Sequence, residues 1–531
     1  MNRDLEITGK QLISGIWSAS GEARFDAYCP ESGKRLDPRF TEATDEEVDR
    51  AVEAAHAAFI LSTSIGSEVR ASFLDALAQS LHEHSGVLVD RCISETGYGI
   101  ARAKGELIRT IGQTRHFASI LREGSWVEAK IDLSDRQREP IARPDVRSML
   151  KPLGTVGVIG ASNFPFAISV VGTDTVAALA SGCGVVVKAH PAHPGTCELL
   201  AEIMRRTLQE FDLPPGLFSL VQGRSHRVGE RLVNHPSLRA LAFTGSEQGG
   251  RALCRLAAER DEPIPVFAEM GSVNPVVVLP EAAQCKGDTI ADGFLNSLLL
   301  AGGQFCTNPG ILLVPSTDAG DQLVQRIKTG IEQSPIQTML HRGISEAYEQ
   351  GGDQRTAITT SERYQSKQAS DAACRAVPAV LVMDACDLKK ENLGEIFGPF
   401  SILVRWRSLE DLLGVIQKLS GQLTATIHAM DEEWMQWEVL FSELQLKVGR
   451  LLMNGFPTGV EPNHAMHHGG PFPAASLPHF TSIGMGSIKR FVRPVCYQDI
   501  PNAMLPAELR DENSEGVMRL VDGVLTRESI G

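Results

Sequence analysis

The chain has 531 residues, with 51 Lys and Arg against 65 Asp and Glu and a formal net charge of -14; the length calls for two or three domains rather than one core. Hydrophobic residues make up 43% and charged residues 22%, the balance of a globular protein, and the acidic excess argues against nucleic acid as the main partner, because phosphate contacts need clustered Lys and Arg. The sequence holds no run of about 18 apolar residues, so no transmembrane helix is expected, and its opening stretch lacks an apolar signal-peptide core, so a cytoplasmic location is expected.

The first elements read as helices. DEEVDRAVEAAHAAF starts acidic and spaces its apolar residues by three and four, and RASFLDALAQSLHEHSGVLVDRCISETG repeats that pattern and stops at a glycine. Residues 124–155 mix charge, proline and β-formers, which predicts an extended excursion from the main body. From residue 155 strands and helices alternate: TVGVIGAS, GVVVKAHP, LFSLVQG and LRALAFTGS are short β-branched or apolar runs, separated by the helical stretches TVAALASG, PGTCELLAEIMRRTLQEFDLP and RVGERLVNHP. That order predicts a doubly wound parallel sheet. VFAEMGSVNPVVVLP leads to a second α/β stretch that runs to about residue 480. The polar, acidic stretch from about 505 reads as a surface helix or a loose tail.

In a doubly wound sheet, ligands bind beyond the carboxyl ends of the strands. Those ends are Ser162–Asn163, Lys188–Ala189, Gln222–Gly223 and Thr244–Gly245. A helix begins after Gly245, so its first N–H groups and the Ser246 hydroxyl are placed to hold a phosphate. No full G-x-G-x-x-G follows a strand, so a nucleotide site and a plain glycine turn both remain open here.

The ten cysteines are scattered with no C-x-x-C pair, which points away from a zinc site or a disulfide framework. Cys306 stands out by its neighbours in AGGQFCTNPG, where Gly302 and Gly303 permit unusual dihedrals and close approach. Glu269 lies between a strand and a Gly-Ser turn, and Asn163 precedes Phe-Pro. Each has a plain reading: buried packing, a solvated loop acid, a turn-holding amide. Spacing alone does not join them.

GASNFPFA, VVVKAHP, FTGS, FAEMGSVNP, GGQFCTNPG and GEIFGPF occur in that order, and together they resemble the aldehyde dehydrogenase superfamily over roughly residues 8–505. KAHPAHPGT, MNGFPTGVEPNHAMHHGGPFPA and RFVRPVCYQDIP resemble its branch acting on 2-oxoglutarate semialdehyde, which is close to bacterial enzymes of long-chain aldehydes. The resemblance implies an α/β fold with a Rossmann-type cofactor domain, an α/β catalytic domain and a β oligomerisation arm. The domains expected are 1–123 with 156–273 for the dinucleotide, 274–482 for catalysis, 124–155 with 483–505 for the arm, and 506–531 as a tail. It also implies a nucleophilic Cys306, an oxyanion site from the Asn163 amide and the Cys306 backbone N–H, and Glu269 as the base that activates water on a thioester.

The same resemblance assigns Ser162, Lys188, Gly245, Ser246, Glu395 and Phe397 to a nicotinamide dinucleotide. A glutamate that grips the ribose hydroxyls in many NAD-preferring relatives is here Pro191. With that acid gone, and with Arg224 and Arg227 after the third strand to pair a 2′-phosphate, NADP is favoured and NAD remains possible. The sequence departs from the family pattern at Ser272–Val273, at Leu299 and at Asp174, which stands where a lysine linked to proton exit is often found. His464, His467 and His468 raise a metal cluster as an alternative, but no metal is expected. His468 falls where relatives carry a phenylalanine beside the thiol, so it is read as bordering the active site, where it tunes the thiolate or bonds a polar substrate. The expected activity is oxidation of an aldehyde, with 2-oxoglutarate semialdehyde ahead of a medium- or long-chain aliphatic aldehyde. A cation near the tunnel mouth favours the first and an all-apolar tunnel the second. A non-catalytic relative and a coenzyme A-acylating one are further alternatives, against which Cys306, Glu269 and Asn163 weigh. The arms imply a homodimer or homotetramer.

Overall fold

The computed structural model describes residues 5–357 and 361–530. The alternating segments build a sheet in the order Val266–Glu269, Leu238–Thr244, Thr155–Ile159, Gly184–Lys188 and Phe218–Val221, all parallel, with the hairpin Gln11–Ile13 and Ile16–Ser18 added antiparallel at one edge. Its strands are apolar at nearly every position because both faces are covered. Val185 and Val187 enter one core with Val156 and Val158, while Val186 enters the opposite core with Val221 and Leu241. Each such valine contributes about 1.5–3 kcal/mol of burial.

Helices cover the faces. Asp45–Leu61 starts at a capping box in which Thr44 and Glu47 satisfy each other's backbone N–H groups. The apolar pattern across residues 70–97, read as one run, is broken at His84 into Ser67–Glu83 and Ser85–Thr96, and the second helix ends at Gly97 with φ of 67°. Ile100–Glu123 follows and packs beside Ser67–Glu83.

A second sheet runs Glu362–Gln365, Ala379–Asp384, Phe400–Trp406, Ile311–Pro315, Val276–Val278, Gln422–His428 and Val448–Met453, parallel except for its first strand. Strands Lys130–Asp132 and Val146–Pro152, in the segment predicted to be extended, leave both sheets and pair with each other, and Val146–Pro152 pairs on its other side with Val492–Gln498 over seven residues.

The C-terminal segment differs from its reading as a surface helix or loose tail. Arg519–Val521 and Val524–Thr526 form a hairpin that extends this third sheet, with Arg519–Val521 parallel to Lys130–Asp132. Arg519 is fully buried and donates to the carbonyls of Arg510 and Glu528, while Arg147 binds Asp145 and Asp511. Asn513 and Arg519 are the buried polar residues that tie the segment down, while Arg510, Glu512 and Glu515 face solvent. No helix among the described residues is long and apolar enough to cross a membrane.

Candidate active site

Cys306 sits on a turn that only its neighbours' conformations allow. The helix Pro280–Leu299 runs into Ala301, Gly302 and Gly303, all left-handed with φ of 48°, 68° and 67°. A Cβ on Gly303 would lie 2.4 Å from the backbone carbon of Gly398, so glycine is required for this loop to meet the loop that carries Glu395. Side chains then lock the turn. Asn274 Nδ2 donates to the carbonyls of Cys306 and Asn308, each at 2.9 Å, Asn308 Nδ2 donates to Gly398 O at 2.9 Å, and Gln304 Oε1 accepts from Leu340 N at 2.9 Å. Ser272, one of the departures from the family pattern, braces Asn274 at 2.9 Å. The Cys306 backbone N–H has no acceptor among the described residues.

Glu269 ends the strand Val266–Glu269, and its register partner is Thr244. The fold brings it to the thiol through His468. His468 Nε2 lies 3.0 Å from Glu269 Oε1 and 3.3 Å from Cys306 Sγ. The three donor atoms fall within 4.8 Å of one another. His464 and His467 join no such group among the described residues. The second Glu269 oxygen accepts from the Ser482 hydroxyl. His468 is fully buried, and its Nδ1 has no partner among the described residues.

These contacts set the charges. Burial pushes the Glu269 carboxyl up, but His468, Ser482 and Cys306 outweigh it and hold the group well below the usual carboxylate range. Burial and the neighbouring Glu269 carboxylate push the Cys306 thiol well up, with Arg109 opposing them. The thiol is therefore protonated at rest, and His468 Nε2, which meets a carboxylate that can only accept, lies 3.3 Å from it as an N–H donor placed to stabilise the thiolate once it forms.

A His468→Phe protein tests that assignment. Without the imidazole, the Glu269 carboxyl loses the largest of the contacts that hold it down, so its titration is expected to move to higher pH, as read by infrared difference spectroscopy. Alkylation of Cys306 by iodoacetamide at neutral pH is expected to slow about tenfold, the equivalent of one pKa unit. Unchanged alkylation would remove His468 from thiol activation.

Asn163 lies past the strand Thr155–Ile159. Its Nδ2 reaches Gln304 O at 3.0 Å, which sets the amide beside the cysteine loop, and its carbonyl accepts from Tyr98 and from Arg102 at 2.9 and 3.2 Å. One amide hydrogen remains for another acceptor. Asp174 does not stand free where a relay lysine was missed. It is buried and ion-paired with Arg490, whose other nitrogen donates to Phe267 O at 2.6 Å.

The crevice beyond the first sheet's strand ends carries the cofactor candidates. Lys188 Nζ donates to Gly223 O at 2.9 Å, and burial pushes its ammonium down to about 8. Ser162 is buried, and Ser246 caps the helix Glu247–Ala258 by accepting from Gly249 N at 3.2 Å. Gly245 N donates to Glu269 O at 3.1 Å, so that helix start and the carboxylate strand share a hydrogen bond. Burial pushes Glu395 up to about 7. It lies against Gly271, where a Cβ would come within 2.5 Å of its Oε2, and Phe397 lines the same recess with Ser272 and Gly303. A cradle of this form, with a helix N-terminus after Leu238–Thr244 and a lysine two strands across at the end of Gly184–Lys188, fits a dinucleotide.

Arg224 and Arg227 separate. Arg224 is exposed beside this crevice, and its backbone N–H binds Glu42. Arg227 forms a two-point ion pair with Asp45 at 2.9 and 2.8 Å, so in this structure its counter-ion is an acid on another helix, out of sight of local sequence. Glu42 also brings an acid toward Lys188, from a strand end far from Pro191.

Several site residues escaped the sequence reading. Ser482, Asn274 and Gln304 act through contacts 32 to 213 residues away in sequence. Arg102 and Arg109 line a cavity of about 380 Å³ that reaches Cys306 between Phe164, Phe305 and Ile483. Their spacing of seven puts both on one helix face with Glu106 between them, a signal that was present in the sequence.

A profile of the aldehyde dehydrogenase family matches residues 17–471. Alpha-ketoglutaric semialdehyde dehydrogenase 2 of Azospirillum brasilense is 42% identical over 522 residues, covering 98% of this chain and 99% of that one. The alpha-ketoglutaric semialdehyde dehydrogenase of Acinetobacter baylyi is 41% identical over 528 residues, with 98% and 99% covered. Among solved structures, a betaine aldehyde dehydrogenase from Staphylococcus aureus in complex with NAD+ matches with a TM-score of 0.78 at 19% identity, over 94% of this chain and 99% of that one. A 1-pyrroline-5-carboxylate dehydrogenase matches at 0.77 and 21%, over 92% of each chain. The structural likenesses carry the fold.

Proposed function

The chain belongs to the aldehyde dehydrogenase family, and from that premise we propose that it oxidises 2-oxoglutarate semialdehyde to 2-oxoglutarate with a nicotinamide dinucleotide. The observation that carries the reading is the convergence of Cys306, His468 and Glu269 at the end of a cavity lined by two arginines. The arginines favour an acid semialdehyde over a fatty aldehyde, and the substrate named for both near-full-length relatives agrees.

In this reading Cys306 is the nucleophile. Its proton passes to the His468–Glu269 pair as sulfur bonds to the aldehyde carbon, and the carbonyl oxygen takes the negative charge. The free Asn163 amide hydrogen and the Cys306 backbone N–H receive that charge. The dinucleotide, when bound, supplies the acceptor for the hydride that leaves this carbon. Lys188, Ser246 and Glu395 are the residues to hold it, with Phe397 packed beside it. The sulfur is left in a thioester. Glu269 then takes a proton from water, whose oxygen attacks the acyl carbon and expels the thiolate. Residues 156–273 with 1–123 hold the dinucleotide in this scheme, 274–482 carry the thiol, and 124–155 with 483–505 form the arm. A homodimer or homotetramer is part of the reading, because Val492–Gln498 is an edge strand of the arm sheet.

NADP is the favoured cofactor on the ground that Pro191 brings no acid to the ribose, with Arg224 as the remaining cation. Glu42 is the group that opposes it. The test is the absorbance of reduced cofactor with 2-oxoglutarate semialdehyde and with hexanal, each with NAD and NADP. A kcat/KM at least about tenfold higher for the semialdehyde is expected, with NADP ahead. A faster rate with hexanal would move the chain to the fatty-aldehyde reading, and an NAD preference would give the acid's part to Glu42.

A further inference from the structure

The two cavity arginines are not equivalent. Arg102 is already committed: it donates to the Asn163 carbonyl at 3.2 Å, approaches Glu106 at 3.6 Å, and lies over the rings of Phe164 and Phe305 at 4.5 and 4.7 Å. It braces the amide beside the thiol. Arg109, two helical turns on, makes no hydrogen bond or ion pair among the described residues and meets only the Phe164 ring at 5.7 Å. Burial is the main force on its charge and pushes the guanidinium down, as does the neighbouring Arg102; Glu106 and Glu461 attract it through space. Glu461 is exposed on the far wall of the cavity and is not in contact with it.

A second group in the cavity also lacks a partner. Thr307, next to the thiol, is 1% exposed, and its hydroxyl binds nothing among the described residues although it lines the same space. A half-buried cation without a counter-ion that faces a cavity, and a buried hydroxyl without a partner, each gain from a ligand that completes them. An anion with an oxygen along its chain completes both. A fatty aldehyde completes neither.

We propose that Arg109 grips the remote carboxylate of the substrate and that the Thr307 hydroxyl donates to its keto oxygen, so the cavity selects short ω-aldehydes that end in an acid. This rests on the aldehyde-oxidising reading above and adds which residues read the far end of the substrate. Arg102 in this scheme is a positioning residue for Asn163.

The experiment compares 5-oxopentanoate with pentanal, which differ at the remote end by the carboxylate, and adds 2-oxoglutarate semialdehyde. In the unaltered enzyme KM is expected at least about tenfold lower for each acid than for pentanal. Arg109→Met is expected to raise KM for both acids about 10- to 100-fold, leave pentanal within about twofold, and leave kcat for the acids largely intact. Thr307→Val is expected to raise KM about fivefold for 2-oxoglutarate semialdehyde alone. Equal losses for acids and pentanal in Arg109→Met would overturn the assignment, as would no loss at all. Should that variant not fold, the ratio in the unaltered enzyme decides, and a ratio near one rejects the proposal. An enzyme that oxidises pentanal and 5-oxopentanoate with equal KM refutes only this inference. One that oxidises no aldehyde refutes the functional reading together with it.

Discussion

Cys306→Ala protein is expected to bind cofactor with an affinity close to that of the unaltered enzyme and to lose at least about 10³-fold in turnover of 2-oxoglutarate semialdehyde. The two halves of that expectation come from different places in the fold. The cradle formed by Lys188, Ser246 and Glu395 belongs to strand ends and a loop that do not depend on the thiol. The chemistry depends on it wholly, since no other cysteine approaches Glu269 and His468 among the described residues. Folding should survive, because the turn is held by Asn274, Asn308 and Gln304 through backbone carbonyls rather than through sulfur. Fluorescence quenching by reduced cofactor and a steady-state assay on one preparation read both halves. Turnover within tenfold of the unaltered enzyme would place the nucleophile elsewhere.

Glu269→Gln is expected to separate two steps that the unaltered enzyme runs together. Without a carboxylate to take water's proton, thioester hydrolysis should slow by about 10²- to 10⁴-fold. Rapid mixing should then show a burst of reduced cofactor close to one per active site, followed by a slow phase. The same substitution should act on the thiol in the opposite direction. After burial, the Glu269 carboxylate is the chief cause of the raised Cys306 pKa. Removing its charge lowers that pKa, enlarges the thiolate fraction near neutral pH, and should speed alkylation by iodoacetamide. Slower alkylation would mean that Glu269 accepts the thiol's proton itself and that His468 only orients it. No burst with slow steady turnover would mean that the step before hydrolysis is the one lost.

The parts of this molecule visible in its sequence are those whose cause is local. Val185–Val187 reads as a doubly buried strand because three consecutive apolar residues at a period of two leave no solvent face. The glycines before Cys306 announce a constrained turn, and the resemblance to a family joins Cys306, Glu269 and Asn163, which spacing does not. What stayed hidden depends on chain segments far apart in sequence. Arg227 looks like a free cation until Asp45 is seen beside it. Ser482 carries no mark of its contact with Glu269, and the C-terminal stretch looks like a tail until Arg519 is found buried beneath carbonyls that only the folded hairpin presents. Arg102 and Arg109 are an intermediate case: their common helix face is legible, but the cavity they face is made by residues more than fifty positions on.

His468 offers a single nitrogen to two neighbours. Sulfur and carboxylate both meet Nε2, while Nδ1 faces neither. This departs from the relay in which an imidazole holds the acid with one nitrogen and serves the nucleophile with the other. With one nitrogen to share, sulfur and carboxylate must take turns. Once the sulfur carries an acyl group it has no charge to be stabilised, and its claim on the imidazole ends. The nitrogen then belongs to Glu269 alone, during the half of the cycle in which that carboxylate meets water. In the proposed cycle, formation of the covalent bond is the clock of the site: it times the hand-over from attack to release without requiring a loop to move.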